Sequence, residues 1–527
     1  MTAPVILTES LGGSALSRAA RAGELPQWYP PVPRDAAAWA RHAKDVSSSI
    51  APGWYERLEP AFAATGAARD RLLEAARGNG LVITTGQQPG LFGGPLMTFV
   101  KALTARALAD ELQAMLGIPV APVFWAATDD ADFDEASVVS VALEGGAVEL
   151  RLDPRAPAGT PMARVALDHD LDPLAAKLRE ACGSSPHASF LEMAERAYHD
   201  GATVGSAYVE VLRGVLEPLG IAVFDVSHPC VAAAGAEVLH RAARSADQVA
   251  RAVSARSAEI SAAGYAPQVD EVAGLSIVFL NEHGTKRRLS LKEAAVLGDL
   301  PDGAFLSSTV LMRPVLERSI LPTAAYVGGP GEIAYFAQVS AVADAIGAPR
   351  PLVVPRWSTT IVEPRIQRLL DELGVTAGSL ADVHAVEGRL ARERMPADAA
   401  RALDALRESA GTEIANLRRV ADDLLPGPVF DGAQRSIEHR VARLERRLLA
   451  GVKRRETEIM RQLGTARGAI YPHGARQERK LAFVPFLARY GPALIDDMLA
   501  AAGAHARDVI GLAPTLRAAA RSTAAAV

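Results

Sequence analysis

The sequence predicts an α/β protein with a doubly wound parallel sheet at its core and a helical arm in its later part. Two patterns predict this fold class. Short β-rich apolar runs alternate with longer helical stretches over most of the chain, which is typical of a parallel sheet. Residues 364–465 instead carry apolar residues at spacings of three and four between Arg- and Glu-rich flanks, which is typical of a coiled coil.

Composition narrows the class of protein. The 527 residues are enough for two to four domains at roughly 150 residues each. With 49% hydrophobic and 22% charged residues, the chain is an ordinary globular protein rather than a disordered or collagen-like one. Its 56 basic and 61 acidic side chains give a net charge of −5, which argues against a dedicated nucleic-acid binder. We therefore expect no nucleic-acid partner.

Cysteine content and hydropathy indicate the compartment. Two cysteines, Cys182 and Cys230, are too few for a disulfide scaffold or a four-cysteine zinc site. The N-terminal apolar run has no basic region before it, so we expect no signal peptide. No window holds 18 uninterrupted apolar residues, so we expect no transmembrane helix and no membrane partner. A cytoplasmic protein is the simplest expectation.

The first elements form a recognisable βαβ unit. Residues 1–80 are predicted to be mostly helical, with a proline-rich break at 29–35. The unit that follows is a strand at 81–85, a Gly-rich turn at 86–95, a helix at 96–116 and a strand at 119–127. Because parallel strands need a crossover, we expect this connection to be right-handed.

The middle of the chain is less regular. We predict an insertion at about 136–310 that carries antiparallel pieces, including a hairpin at 275–291. The sheet pattern recurs as strands at 221–226, 323–327 and 351–356, with helical stretches at 231–262 and 332–346.

Residues 364–465 are predicted to be an antiparallel helical hairpin with a break at 425–432. The core is then 1–363 together with 466–527. We expect the arm to mediate a homodimer, and the alternative is that it packs on its own core. The predicted seam consists of Leu403, Leu406, Ala410, Ile414, Leu417, Ala421, Leu424, Ile437, Val441, Leu444, Leu448 and Val452, and continues at Ile459 and Leu463.

The turn GQQPGLFGGP joins a strand to a helix and is the first candidate binding loop. Glycines allow a ligand to approach the backbone, and a helix N-terminus attracts anions. The pattern is neither a dinucleotide fingerprint nor a P-loop, and Lys101 lies too deep in the helix for a P-loop lysine. A tight turn without a ligand is the alternative. The candidate residues are Gly86, Gln87, Gln88, Gly90, Gly94, Pro95 and Lys101.

The acidic segment TDDADFDE follows the second strand. Asp129, Asp130 and Asp132 would therefore lie at the carboxyl end of the sheet, where open α/β folds bind ligands. Carboxylates there could hold a divalent cation, through Asp129 or Asp132, or a charged amine. The alternative is a solvated acidic turn, and no metal site is firmly predicted.

A second Gly-rich loop, YVGGPGEIAYFAQ, precedes a helix at 332. Glu332 in the first helical turn favours the helix dipole, but it could equally serve as a general base or an amine ligand. Three loops that follow strands would meet at one sheet edge, which predicts a small-molecule site. The candidates here are Tyr326, Gly329, Glu332, Tyr335 and Gln338.

The segment YPHGARQERKL, which follows the arm, is the fourth candidate. Gln477, Glu478 and Arg479 form a polar cluster at the start of an apolar helix. They could contact a ligand, and the alternative is a helix start with local pairing.

Five blocks of sequence resemble the bacillithiol biosynthesis cysteine-adding enzyme family (BshC, cysteine ligases). They occur in the order of the family, and the resemblance covers nearly the whole chain. The blocks are TGQQPGLFGGPLMTFVKAL (85–103), VFWAATDDADFDE (123–135), LMRPVLERSILPTAAYVGGPGEIAYFAQ (311–338), PLVVPR (351–356) and YPHGARQERKL (471–481).

The resemblance implies a Rossmann-like core with inserted connecting-peptide-like segments and a coiled-coil arm that dimerises. It also implies that cysteine is joined to glucosaminyl-malate by an amide bond, the last step of bacillithiol synthesis. Because a carboxylate does not acylate an amine unaided, we expect ATP with magnesium as the activator and no tightly bound cofactor. Asp129, Asp130, Asp132 and Glu332 are the expected catalytic residues, and Arg313 and Arg356 would neutralise malate or phosphate.

This chain departs from the family pattern at four positions. Ala131 and Val138 stand where the family usually has histidines. Gly93 replaces a usual threonine, and Glu317 replaces a usual glutamine. The histidine changes leave open a related amide ligase or nucleotidyl-transfer-like enzyme with another amine acceptor, or a non-catalytic dimeric binding protein.

Overall fold

The computed structural model describes residues 3–153, 156–167, 171–421 and 423–512. Its strands are β1 Val5–Thr8, β2 Leu81–Gln87, β3 Val120–Ala126, β4 Val138–Leu143, β5 Gly146–Arg151, β6 Ala222–Asp225, β7 Leu275–Glu282, β8 Thr285–Ser290, β9 Phe305–Ser308, β10 Thr323–Gly328, β11 Val353–Pro355 and β12 Thr359–Val362.

Helices make up most of the remaining structure. Those of the first half are α1 Ala15–Ala22, α2 Ala36–Ser48, α3 Trp54–Phe62, α4 Gly66–Arg77, α5 Leu96–Leu116, α6 Phe133–Ala136, α7 Asp172–Cys182, α8 Ser189–Ala197, α9 Val204–Leu216, α10 Pro229–Arg244 and α11 Ala246–Ala262. Those of the second half are α12 Leu291–Ala295, α13 Arg313–Ile320, α14 Pro330–Ala345, α15 Pro364–Leu373, α16 Val383–Glu393, α17 Ala397–Val420, α18 Gly427–Arg455, α19 Thr457–Ile470, α20 Gln477–Lys480 and α21 Val484–Val509.

The central sheet is parallel and has the order β11-β10-β2-β3-β6, which confirms the predicted doubly wound α/β core. The chain runs from β2 outward through β3 to β6 and then returns to β10 on the other side of β2. The direction of winding therefore reverses between β2 and β10. Such a switch point opens a crevice at the carboxyl ends of the strands.

Alternation along the strands gives the sheet two apolar faces. Leu81 and Ile83 of β2 join the cluster that contains α5 and α21, whereas Val82 joins the cluster that contains α4, α10 and α14. Both faces are covered by helices, so the apolar side chains of β2 and β3 are buried. Helix α5 has the predicted bounds because Pro95 precedes its first residue and Gly117, at φ 68°, terminates it.

The region 136–310 contains the predicted antiparallel pieces. Strands β4 and β5 form one hairpin, and β7 and β8 form another that continues to β9 in the order β8-β7-β9. The region is not one continuous insertion, however, because β6 inside it is the edge strand of the parallel sheet. An antiparallel pair between β1 and β12 had no signal in the sequence pattern.

The arm is an antiparallel helical hairpin of α17 and α18. Its direction follows from two ion pairs, Arg407 with Glu445 and Arg418 with Asp431, which bring early residues of α17 to late residues of α18. The predicted interruption at Arg455 and Glu456 is present, since α18 ends at Arg455.

Only part of the predicted seam is buried, and Val452 packs against Ala391 of α16. Leu403, Val441 and Val452 are buried, together with Phe430 and Leu449, which were not predicted. The predicted seam residues Leu406, Leu417, Leu424 and Leu444 are exposed, which corrects the sequence expectation. They lie off the narrow face that two helices share, because a two-helix contact covers only one stripe of each helix.

The C-terminal segment returns to the core after the arm. Helix α21 packs against α5, and its apolar residues share one cluster with β2 and β3. Gly491, at φ 58° immediately before Pro492, interrupts the helix, which lets both halves follow the core surface. No helix among the described residues is long and apolar enough to cross a membrane.

Candidate functional site

A cavity of about 770 Å³ lies at the switch point between β2 and β10. Its walls include residues 86–88 after β2, residues 127 and 129–132 after β3, and residues 329–332 after β10. The structure thus brings together the three loops that the sequence predicted to meet. Polar groups that converge in a concave pocket are the arrangement expected of a small-molecule site.

A buried ion pair fixes the floor of this cavity. The Lys101 ammonium is 1% exposed and lies 2.6 Å from Glu332 Oε2. It also donates to the carbonyl oxygen of Gly86 at 2.6 Å and to Gln87 Oε1 at 3.1 Å. Lys101 therefore joins α5 to α14 and to the end of β2. It lies beneath the predicted ligand-binding loop rather than in the cavity wall.

Glu332 has both carboxylate oxygens engaged. Oε2 accepts from the Gly329 N–H at 2.7 Å as well as from Lys101, and Oε1 accepts from the Tyr326 hydroxyl. Burial alone would raise the pKa of Glu332, but Lys101 and these hydrogen bonds outweigh it and hold the pKa below its usual range. Glu332 lines the cavity, yet it is poorly suited to the general-base role that the sequence suggested.

Arg313 is likewise committed to protein groups. Its Nη1 lies 2.7 Å from Glu317 Oε2, and its guanidinium carbon lies 4.6 Å from the centre of the Tyr326 ring. Glu317 also accepts a hydrogen bond from Thr84, and burial raises its pKa against the attraction of Arg313. The glutamate that replaces the family glutamine is thus the counter-ion of Arg313, and both Arg313 and Tyr335 reach the cavity wall.

The acidic loop forms the wall opposite these groups. Asp132 Oδ1 accepts from the Glu135 N–H at 3.1 Å and caps α6, and Asp130 Oδ1 accepts from the Asp132 N–H at 3.0 Å. Burial raises the pKa of Asp129, although Lys286 opposes this shift. A raised pKa makes Asp129 a stronger base than an ordinary exposed aspartate, so Asp129 is a candidate proton acceptor.

Metal binding has little support from the protein alone. No group of three or more His, Cys, Asp or Glu side chains that could hold a metal ion occurs among the described residues. A magnesium ion that arrives with a nucleotide needs only one or two carboxylates, because phosphates and waters supply the other ligands. Asp129 and Asp132 are compatible with that weaker role.

Several cavity residues had no signal in the sequence. Lys286 and Arg288 come from β8, Phe279 comes from β7, and Trp125 and Thr309 complete the wall. Trp125 Nε1 and Thr309 Oγ1 are buried and have no hydrogen-bond partner among the described residues, so a ligand could satisfy them. The hairpin was predicted, but only its long-range packing shows that it covers the sheet edge.

Part of the first loop does not face the cavity. Gly90, Gly94 and Pro95 lie behind it, where the Gly90 carbonyl accepts from the Tyr198 hydroxyl at 2.9 Å. The first N–H of α5, on Leu96, donates to the Leu481 carbonyl at 2.7 Å. The prediction that Gly86–Gly94 binds an anion through backbone N–H groups is therefore limited to residues 86–88.

Arg356 and Glu478 form a buried joint instead of contacting the cavity. They make a two-fold ion pair of 2.6 and 2.8 Å, and each side chain is 1% exposed. Gln477 bridges the backbone of Ile361 and Ala469. Arg356 does not line the cavity, and both of its Nη atoms are paired with Glu478, whereas its buried Nε has no partner among the described residues. Its neutralisation of substrate charge stays a prediction.

Gln338 is also structural, whereas Arg479 is not. Gln338 is fully buried and bonds the backbone N–H and carbonyl of Val269 at 3.1 and 2.8 Å. Arg479 follows the buried Glu478 but lines the cavity. One residue of the predicted polar cluster 477–479 thus reaches the site, and the other two fasten the chain around it.

The family departures have distinct positions. Ala131 lines the cavity, and Val138 starts β4 outside it. No histidine replaces them, since none occurs among the described residues that line the cavity. His228 pairs with Cys230 Sγ at 3.0 Å, and His473 is exposed elsewhere.

Comparisons with known proteins agree with this architecture. A family model described as "Bacillithiol biosynthesis BshC, N-terminal Rossmann-like domain" matches residues 55–357, and "Bacillithiol biosynthesis BshC, C-terminal coiled-coil domain" matches residues 359–508. Proteins named "Putative cysteine ligase BshC" are similar over most of their length. Those from Solibacter usitatus and Heliobacterium modesticaldum are 32% and 31% identical, over 80% and 86% of this chain and 82% and 87% of theirs. That from Koribacter versatilis is 29% identical over 82% of this chain and 84% of its own.

Proposed function

The chain belongs to the bacillithiol biosynthesis BshC family, and on that premise we propose that it is a cysteine ligase acting on glucosaminyl-malate. The reaction joins the cysteine carboxyl carbon to the glucosamine nitrogen as an amide and completes bacillithiol. One observation carries the proposal: a single cavity at the switch point combines an acidic wall, cationic side chains and two glycine-rich loops. That combination suits an amine acceptor and an activated acyl donor.

The acidic wall suits the amine of the acceptor. Asp130 and Asp132 would hold the glucosamine ammonium, and Asp129 would accept the proton that nitrogen releases. The free amine then attacks the activated carbonyl carbon, and the leaving group departs with the electron pair of the carbon–oxygen bond. A carboxylate whose pKa is raised by burial is a better base for this step than an ordinary exposed aspartate.

We assign activation of the cysteine carboxylate to ATP as a second substrate. Residues 329–331 lie in the cavity wall at the start of the 16-residue helix α14, and residues 86–88 lie beside them. A helix N-terminus beside a loop that contains glycine is a favourable place for phosphate, because backbone N–H groups are accessible there. Glu332 already uses the Gly329 N–H, so the phosphates would contact the remaining N–H groups of that turn.

Product formation tests the proposal. Purified protein is incubated with cysteine and glucosaminyl-malate, with and without magnesium-ATP, and the condensed thiol is sought by mass spectrometry. We expect product only with ATP. No product, while another BshC protein is active under the same conditions, would contradict the proposal.

Isotope transfer identifies the activated species. Cysteine labelled with ¹⁸O in its carboxylate gives one label to AMP if an acyl adenylate forms, or to inorganic phosphate if an acyl phosphate forms. Label retained only in the amide and in unreacted cysteine would contradict activation by ATP.

A homodimer through the arm is part of the same proposal. Large apolar side chains are exposed on or between α17 and α18, among them Leu406, Leu417, Val420, Leu424, Val429 and Leu444. Large exposed apolar side chains in one helical hairpin are compatible with an interface. We also propose a cytoplasmic location, which fits the two free cysteines and a reaction that consumes ATP.

A further inference from the structure

Two neighbouring cations of β8 face the cavity. Lys286 and Arg288 are both partly buried and line its wall, whereas Arg287 between them is exposed and pairs with Glu293 at 2.9 Å. This difference follows from the period of two along a strand. One face of the hairpin therefore gives the cavity two positive charges.

Neither cation has a carboxylate partner. Lys286 Nζ donates to the backbone carbonyl of Asp129, and Arg288 Nε donates to the backbone carbonyl of Ser276. No carboxylate oxygen of the described residues forms an ion pair within 4.0 Å of either one. Burial lowers the pKa of Arg288, as expected for a partly desolvated charge that lacks a counter-ion.

Three other cations around the site differ in this respect, whereas Arg479, which also lines the cavity, does not. Lys101 is paired with Glu332, Arg313 with Glu317, and Arg356 with Glu478. These three side chains therefore already bind carboxylates of the protein itself. Among the described residues that line the cavity, Lys286, Arg288 and Arg479 are the positive charges that make no ion pair with a carboxylate, and the first two lie on the same face of β8.

The position of Lys286 indicates what that ligand looks like. Its contact with the Asp129 carbonyl joins the cationic face of β8 directly to the acidic loop. A ligand that spans both must carry an amine at one end and negative charge at the other. Residues two apart on a strand are about 7 Å apart, which suits two carboxylates better than one. Thr309 Oγ1, buried in the same wall without a partner, offers a further hydrogen bond.

We infer that Lys286 and Arg288 recognise the dicarboxylate half of the amine acceptor, and so make the enzyme specific for a malate-bearing glucosaminide. The inference rests on the proposed function, since it assigns the two ends of that substrate to two adjoining parts of the cavity wall. The acidic loop takes the amine and β8 takes the two carboxylates. Phosphates of ATP are left to the glycine-rich loops.

Specificity kinetics test the inference. Glucosaminyl-malate is compared with methyl glucosaminide, which carries the same amine but no carboxylate. For Lys286→Gln and Arg288→Gln, we expect KM for glucosaminyl-malate to rise roughly ten- to a hundredfold, as loss of a charge-assisted hydrogen bond implies. Turnover of methyl glucosaminide and KM for ATP should change little. Arg287→Gln is the matched control and should leave all three values unchanged.

Other outcomes would overturn it. An equal loss on both acceptors, or a rise in KM for ATP alone, would show that these cations do not read the malate group. An equal rise in KM for glucosaminyl-malate in the Arg287→Gln control would also overturn the inference.

Calorimetry with L-malate separates this inference from the proposed function, because it needs no turnover. We expect L-malate to bind the unsubstituted protein and to bind each β8 variant at least about tenfold more weakly. Equal binding to all the proteins, or no binding to any, would refute the inference even if the ligase reaction occurs. Binding lost in the variants, with no product from either acceptor, would support a dicarboxylate site and refute the ligase.

Discussion

The charged side chains of the cavity differ in how many of their hydrogen bonds and ion pairs are made to other groups of the protein. Glu332 has three partners and a lowered pKa, whereas Asp129 has a raised one. The sequence predicted both as catalytic, since it shows charge and spacing but not pairing. Lys101 is the sixth residue of the buried helix α5, and only the packing of α5 against the sheet reveals that it neutralises Glu332.

Asp129→Asn should reduce kcat by about 10²–10⁴, the usual effect of removing a general base. Asp129 accepts a proton only when ionised, so activity falls as pH drops through its pKa. Because burial raises that pKa, the fall should begin at a higher pH than for an ordinary aspartate. Rate measurements against pH check this, and the residual activity of the variant should lack that acid limb.

Asp134→Asn is the matched control, since Asp134 is exposed in α6, immediately after the acidic loop, and does not line the cavity. An equal loss in this variant would mean that the loop acts only through its general negative charge.

Asp132→Asn should lower kcat/KM for the acceptor roughly ten- to a hundredfold, because the ammonium loses one charge-assisted hydrogen bond. The fold should remain intact, since an asparagine oxygen can still cap α6 through the Glu135 N–H. Steady-state kinetics and circular dichroism measure the two effects. Unchanged kinetics would remove Asp132 from the acceptor site.

Lys101→Met should lower the free energy of unfolding by an amount near the lower end of about 3–5 kcal/mol, because Glu332 would be left largely buried without its counter-ion. Adding Glu332→Gln should recover part of this loss, since the unpaired charge is then removed. Urea unfolding of Lys101→Met, Glu332→Gln and the double variant measures the free energies. A double variant as unstable as the sum of the single variants would show that the pair is not coupled.

At the scale of elements, local sequence patterns predicted the bounds of several strands and helices. The pairing and placement of other elements depend on long-range packing, which these patterns do not show. The unit from β2 to β3 has nearly the predicted bounds, because glycine, proline and apolar periodicity act within a few residues. The β1–β12 pair and the position of the β7–β8 hairpin had no such signal. Both depend on contacts between distant parts of the chain.

Gly93 shows how this chain fixes one of its loops. It has φ 87°, and a β-carbon there would lie 2.7 Å from the Phe483 ring. The usual family threonine would be strained in this backbone. The loop and α21 are therefore matched to each other in this protein.

Gly93→Ala should lower the free energy of unfolding by more than about 1 kcal/mol, because positive φ and crowding both act against the methyl group. Gly117→Ala is the control, since it has φ 68° but open space around the added carbon. Thermal unfolding compares the two variants. An equal cost would mean that backbone strain alone matters at Gly93.

At the scale of the whole molecule, the arm and the core are joined through the C-terminal segment. The sequence predicted the return of the chain to the core after the arm, and α21 lies against α5 as one core cluster requires. It could not predict which arm residues stay exposed, because a heptad-like pattern marks a wider stripe than one hairpin contact buries.

Leu417→Glu combined with Leu424→Glu should convert the proposed dimer to a monomer, because charge would then occupy an apolar interface. Light scattering should show the mass fall from twice that of the chain to that of one chain. Leu512→Glu is the control, since Leu512 is 50% exposed outside the arm, compared with 74% for Leu424. A dimer that persists in the double variant would place its interface elsewhere.

The most direct test of the account is a crystal structure of the protein with glucosaminyl-malate. We predict the ligand in the cavity between β2 and β10, with its amine at Asp129, Asp130 or Asp132 and its carboxylates at Lys286 and Arg288. Electron density for the sugar in another cavity, or in this one with the two ends reversed, would contradict the assignment of this site as the place where the amide bond forms.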